Sequence, residues 1–233
     1  MFYLIGLGLN HEGFSWEAYK AIEKADKVYI ENYTVEFPYK FSELEKEINQ
    51  EVVPVDRNFV ESFKVLDEAK SKDIVLLVYG SPLTATTHIT LIQEAKKRKI
   101  KLKVMNNASI FDAVAETGLQ LYKFGKTASL PNFNANSYLD VIKENLSIKA
   151  HTLILVDIGM NFNGAIEKLE KDCRNKDVKL EKVVVCERLG LKDSHIHYSD
   201  ISKLKKQKIR APFCIVIPSE LHFIEKEFLE SFN

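Results

Sequence analysis

The chain has 233 residues, 45% of them hydrophobic, which suffices for one large α/β domain or two small ones with a core each. Lys plus Arg and Asp plus Glu both number 33, so the formal net charge is zero and the basic excess by which nucleic-acid binders displace counterions is missing. Cys173, Cys186 and Cys214 are widely spaced, form no C-x-x-C pair and read as reduced thiols of a cytosolic protein. No apolar run approaches the ~20 residues that span a bilayer, and the opening apolar run is too short for a signal peptide. A soluble, cytoplasmic protein is expected, with no nucleic-acid or membrane partner.

Strand-length apolar runs alternate with segments of helical period. Residues 2–9 read as a first strand, and 15–25 as a helix with Ser15 as its cap. Strands follow at 27–30 and 51–53, then a helix at 59–71. Residues 73–79, Asp-Ile-Val-Leu-Leu-Val-Tyr, form the clearest buried strand of the first half, followed by a helix at 86–99 and a strand at 101–105. That alternation predicts a parallel sheet covered on both faces. Gly118 and Gly125 punctuate a stretch without helical period, and the division between two α/β domains, 1–118 and 119–233, is placed there. In the second half strands are expected at 127–130, 152–157, 182–187 and 213–217, in a mixed sheet, with helices at 137–146, 163–174 and 220–232.

Three stretches have the residue types of a ligand site. Gly6-Leu7-Gly8-Leu9 ends the first strand, where glycines let backbone pass close to a ligand or a crossing strand. A Rossmann fingerprint would need a glycine at position 11, where His11 stands, and Glu31 is a weak ribose partner. A nicotinamide-dependent oxidoreductase, and a turn needed only for packing, are the alternatives there. Ser81-Pro82-Leu83-Thr84-Ala85-Thr86-Thr87-His88 follows the best strand and opens a helix, bringing hydroxyls and unpaired N–H groups to the sheet edge where open α/β folds bind ligands. Its threonines also serve as plain helix caps and His88 as a core histidine. Asn107-Ala108-Ser109-Ile110 repeats the arrangement, with Ser109 as N-cap. Asp157, ending a strand, either meets a ligand or caps the next turn. His195 and His197 have no third partner in sequence, so no zinc site is expected. No G-x-S-x-G elbow, P-loop or EF-hand occurs, which leaves group transfer by positioning.

Taken in order, Gly6-Leu7-Gly8-Leu9, Glu31-Asn32-Tyr33-Thr34, Ala85-Thr86-Thr87-His88 and Asn107-Ala108-Ser109-Ile110 resemble the diphthine synthase family. So do the block from Gly118 to Lys126, His151-Thr152-Leu153, Ile217-Pro218, and Leu221-His222-Phe223 with Glu225. The resemblance runs from the first residues to the last helix. It implies the tetrapyrrole methylase architecture, two α/β domains with the cofactor cleft between them, assembled as a homodimer. It also implies methyl transfer from S-adenosylmethionine to the amino group of a modified histidine on translation elongation factor 2, without metal. A methyltransferase acting on a small molecule such as a tetrapyrrole is the alternative within the wider group. Carried over by position, the cofactor contacts are Leu9, Ser81, Thr84, Ser109, Ile110, Val156, Leu189 and Phe213, several through backbone groups; no catalytic side chain is assigned. The chain departs from the family where Ser81 replaces an aspartate, Phe213 a histidine and Ser219 a glycine, and around 159–175, which is shorter.

Overall fold

Runs of β-branched and aliphatic residues set the strands of the first unit, Met1–Asp112, in a computed structural model that describes residues 1–232. Strands β1 (Phe2–Gly6), β2 (Lys27–Glu31), β3 (Val53–Val55), β4 (Ile74–Val78) and β5 (Leu102–Met105) form a sheet in the order β3-β2-β4-β1-β5, all neighbours parallel. All five β4 residues are buried, the signature of a strand covered on both faces. Alternation sends successive side chains to opposite faces. Leu4 and Leu76 pack on one side with Phe2, Tyr29, Leu66 and Leu91. Ile5 and Leu77 pack on the other with Ile22, Ile30 and Leu44.

Helices α1 (Trp16–Glu23), α2 (Phe41–Ile48), α3 (Arg57–Glu61), α4 (Lys64–Glu68) and α5 (Ile89–Lys97) belong to this unit. Ser15 caps α1 as expected, its hydroxyl accepting the Ala18 N–H at 3.1 Å. The expected helix over 59–71 is two short ones, because Phe63 takes a left-handed φ of 61° between them. Helix α2, absent from the sequence expectation, buries Leu44 and Ile48, and its first turn is fastened where the Lys40 N–H donates to the Glu43 carboxylate at 2.9 Å.

The chain passes through α6 (Ile110–Ala113) into the second unit, which begins at Ala113, earlier than the expected division after 118. Residues 114–118 go with the second unit for a packing reason: the Cα of Gly118 lies against the Phe228 ring, where an added Cβ would sit 2.3 Å from a ring carbon. Strands β6 (Ala128–Leu130), β7 (Thr152–Val156), β8 (Val183–Glu187), β9 (His195–Ser199) and β10 (Phe213–Ile217) form a second sheet ordered β6-β7-β10-β8-β9. Only β6 and β7 are paired in parallel among these neighbours; the others are antiparallel. Helices α7 (Tyr138–Ser147), α8 (Phe162–Asn175), α9 (Ile201–Leu204) and α10 (Phe223–Glu230) complete it, with Leu139, Ile142, Ile166 and Leu169 packed on Ile154, Val183 and Ile215. Among the described residues no helix is long and apolar enough to cross a membrane.

Candidate cofactor site

The carboxyl ends of three neighbouring strands of the first unit, β4, β1 and β5, carry the loops with Ser81, Leu9 and Ser109. Beyond the strands proper the β1 and β4 chains stay joined: Gly8 and Gly80 exchange backbone hydrogen bonds at 3.1 and 2.8 Å. Both glycines have positive φ, 73° and 72°, a region that side-chain-bearing residues enter at a cost. At Gly6 the reason for glycine is space, since a Cβ would meet the Gly80 carbonyl oxygen at 2.5 Å. The Asn107 amide donates to the carbonyls of Gly6 and Gly13 at 3.1 and 3.0 Å while its oxygen accepts the Ala108 N–H at 2.8 Å. The Tyr79 hydroxyl donates to the Leu9 carbonyl at 2.9 Å. The glycine turn is therefore a fixed backbone cradle.

Ser81 and Thr84 bracket a tight turn closed by the Thr84 N–H on the Ser81 carbonyl at 3.2 Å, and Ala85 after it takes a left-handed φ of 55°. The Pro82 carbonyl inside the turn accepts two hydrogen bonds, from the Thr86 hydroxyl at 2.8 Å and from His88 Nδ1 at 2.9 Å. His88 is buried, and its Nε2 faces the fully buried Glu31 carboxylate at 3.1 Å and the Tyr33 hydroxyl at 3.2 Å. The Thr34 hydroxyl donates to the other Glu31 oxygen. Two of the motifs read separately in sequence thus meet in one cluster. Ser109 is buried and works as expected at a helix start, accepting the Phe111 N–H at 3.2 Å and donating its hydroxyl to Asp112 at 3.0 Å; Ile110 follows it, half-buried.

Val156, Leu189 and Phe213 lie at one end of the second sheet. Phe213 begins β10 opposite Glu187, the last residue of β8, and Val156 ends β7 on the other side of β10. Leu189 is buried just beyond β8, and the Phe213 ring meets Phe162 edge-on at 5.5 Å between centroids. The Asp157 carboxylate accepts the Asn132 N–H at 3.1 Å and so ties the loop after β6 to the end of β7. His195 and His197 stack at 6.2 Å, and His197 turns to Glu187 at 3.3 Å. Among the described residues His11, Glu12 and Glu47 bring one potential metal-ligand atom each within 4.8 Å of one another, on a surface where carboxylates are common.

The profile of the tetrapyrrole (corrin/porphyrin) methylases matches residues 1–205. A diphthine synthase of Methanococcus aeolicus is 39% identical, the match covering 99% of this chain and 97% of that one. A diphthine synthase of Methanocaldococcus jannaschii is 38% identical, over 99% and 98%. A crystal structure of diphthine synthase superposes with a TM-score of 0.92 at 34% identity, over 99% and 95%. The chain belongs to the tetrapyrrole methylase family. Within it, the full-length likeness is to the diphthine synthases, and the chain is an S-adenosylmethionine-dependent methyltransferase.

The first-unit loops fit the methylase cofactor. S-adenosylmethionine carries a sulfonium, an amino-acid end, a ribose and an adenine, and the cradle offers hydroxyls, main-chain groups and apolar side chains. Pyrophosphate chemistry has no counterpart here, because His11 stands where a third glycine would be needed.

The remaining family motifs gather in the second unit, around Glu225. Its carboxylate is fully buried and accepts four hydrogen bonds: from the Gln120 N–H at 2.9 Å, Lys123 Nζ at 2.6 Å, the His222 N–H at 2.7 Å and His151 Nε2 at 3.1 Å. The Ser219 N–H donates to His151 Nδ1 at 2.9 Å, which fixes the ring as the neutral Nε2–H tautomer. Burial, outweighing Glu225, holds the His151 pKa below the usual imidazole range. This is a structural knot. It ties together the block after Gly118, the start of β7 and the start of α10. In sequence the three motifs are family marks only, and the one signal that a carboxylate joins them is the Glu three residues after His222, a capping-box spacing.

Proposed function

We propose that this methyltransferase acts as a diphthine synthase in diphthamide biosynthesis, placing methyl groups on the amino group of the modified histidine of translation elongation factor 2. The observation that carries the reading is end-to-end likeness to proteins of that name, without a large unmatched segment on either side. S-adenosylmethionine supplies an electrophilic methyl on a sulfonium. The amine lone pair forms the new N–C bond as the C–S bond breaks, leaving S-adenosylhomocysteine, and the amine gives up a proton. The protein's task is alignment, and alignment of two reactants is worth roughly 7–11 kcal/mol. We assign cofactor contacts to Leu9, Ser81, Thr84, Ser109 and Ile110 in the first unit and to Val156, Leu189 and Phe213 in the second. The partner is a protein substrate, the working form a homodimer and the compartment the cytoplasm.

Incubation of the elongation factor bearing the unmethylated precursor with this protein and S-adenosylmethionine, followed by mass spectrometry, is expected to show whole-methyl mass increments at the modified histidine. An unchanged mass overturns the reading. The name of the matching family favours one other substrate class, a free tetrapyrrole; methylation of isolated tetrapyrroles with none of the elongation factor would select it.

A further inference from the structure

We propose that the buried Glu31–His88 pair is a positioning device for the cofactor turn, with His88 acting through the Pro82 carbonyl to set the backbone that carries Ser81 and Thr84. The proposal rests on the assignment of Ser81 and Thr84 as cofactor contacts. It starts from the cost of the pair. Two ionisable groups at 2% and 0% exposure are a poor way to stabilise a core, since apolar residues of like volume often do as well or better. An apolar pair cannot hold a carbonyl. Pro82 has no N–H of its own to anchor the turn, and its carbonyl takes both the Thr86 hydroxyl and His88 Nδ1. Ala85, three residues before the histidine, sits in left-handed conformation, which persists only where neighbours over-determine it.

The proton positions follow from the partners. Pro82 oxygen is only an acceptor, so Nδ1 carries a proton; Nε2 lies 3.1 Å from a buried Glu31 oxygen that has no hydrogen-bond donor, and a proton there makes the two an ion pair. A doubly protonated ring is pinned at both ends. Burial lowers the His88 pKa, but the Glu31 hydrogen bond and charge, the Pro82 carbonyl and the charge of Glu61 together raise it. The other groups that face the cluster are the Tyr33 hydroxyl, the Thr34 hydroxyl, and Arg57, whose guanidinium lies over the Tyr33 ring at 5.2 Å and pairs with Glu61 at 3.7 Å. Once Nε2 loses its proton its lone pair faces the carboxylate, the ion pair is gone, and the Tyr33 hydroxyl is the donor left to that nitrogen. The sign is that of a raised pKa: the coupling is complete below the ordinary imidazole range and is lost as pH rises through the raised value.

The test is calorimetric titration of S-adenosylhomocysteine into wild type, His88→Ala, His88→Asn and Glu31→Gln across pH 6–9, with circular dichroism to confirm folding. His88→Ala is expected to weaken binding about tenfold or more, the range of a hydrogen bond from a charged donor. His88→Asn, whose amide nitrogen stands close to the Nδ1 position, is expected to recover most of that loss. In wild type affinity falls on the alkaline side, and in Glu31→Gln, where burial is no longer opposed, the fall moves to lower pH. Wild-type affinity in folded His88→Ala, an Asn variant no better than Ala, or a Glu31→Gln profile that overlies wild type would each overturn the proposal. Should His88→Ala not fold, the Glu31→Gln profile decides. Failure of the wild type to bind S-adenosylhomocysteine is a different result, and it strikes the site assignment rather than the positioning.

Discussion

His151 and Glu225 are 74 residues apart in the chain, yet their side chains meet at 3.1 Å with neither reached by solvent. Removing the carboxylate by Glu225→Ala leaves His151 Nε2 and the N–H groups of Gln120 and His222 without this acceptor, and Lys123 with the Glu220 carbonyl in its place. Loss of one partner of a buried ion pair costs about 3–5 kcal/mol. For a protein of this size that corresponds to a melting midpoint roughly 6–20 °C lower. Scanning calorimetry of wild type and variant checks it, and an unmoved midpoint would show that the knot is decorative.

The same carboxylate gives the second unit an acid limit. Burial alone would raise its pKa, but Lys123, the N–H groups of Gln120 and His222, and His151 hold it down to about 2 from an ordinary 4.5. A depressed pKa stabilises the fold above the unfolded value and loses that effect as pH falls through the folded one, so about 3 kcal/mol fades between pH 4.5 and 2. Urea midpoints measured across that range should fall steeply for wild type and more gently for Glu225→Gln. Parallel curves would contradict the assignment.

Ser81 brings a hydroxyl to the turn where the family resemblance implies an aspartate. A charged acceptor makes hydrogen bonds of about 1.5–3 kcal/mol against roughly 1 for neutral pairs. Ser81→Asp is therefore expected to tighten S-adenosylhomocysteine binding somewhere near three- to thirtyfold, at about 1.4 kcal/mol per tenfold. Side-by-side titration reads the sign. Weaker binding by the variant would mean that the turn has been reshaped around the serine and that the new carboxylate is desolvated without a partner.

Gly6→Ala places a methyl 2.5 Å from the Gly80 oxygen and 2.9 Å from Pro82 Cδ. Overpacking of this kind costs about 1–3 kcal/mol, and here it pushes apart the loops after β1 and β4. The expected outcome is a folded protein of lower midpoint with much weakened S-adenosylhomocysteine binding, measured by calorimetry. A variant that loses stability but binds normally would separate the glycine from the site.

A homodimer predicts a light-scattering mass of twice the 26.7 kDa of one chain at micromolar concentration. The single-chain mass would reject it.

What the sequence disclosed follows from how local each signal is. Ile74–Val78 announces a doubly covered strand because every residue is apolar, and Ser15 announces a cap because its partner is three residues away. Helix α2 was also written locally, in Phe41, Leu44 and Ile48, but charged residues between them dilute the pattern. Strand β9, His-Ile-His-Tyr-Ser, escaped because an edge strand with partly exposed side chains on both faces carries no alternation to detect. The site divides in the same way. Its glycines and hydroxyls stand out as types at strand ends, whereas the roles of Glu31 for His88, or of Asn107 for Gly6 and Gly13, depend on contacts that only the folded chain creates.

Strand β10, almost the last element made, lies in the middle of its sheet between β7 and β8. On the ribosome the first unit has all five strands of its sheet once Met105 has emerged, and it can close while synthesis continues. The second unit has no such option. Until Phe213–Ile217 is out of the exit tunnel, β7 and β8 each present an open, strongly apolar edge, the kind of surface that recruits chaperones or neighbouring nascent chains. A premature stop between the end of the first unit and β10 therefore yields one finished half attached to an aggregation-prone remainder, not a shorter working protein.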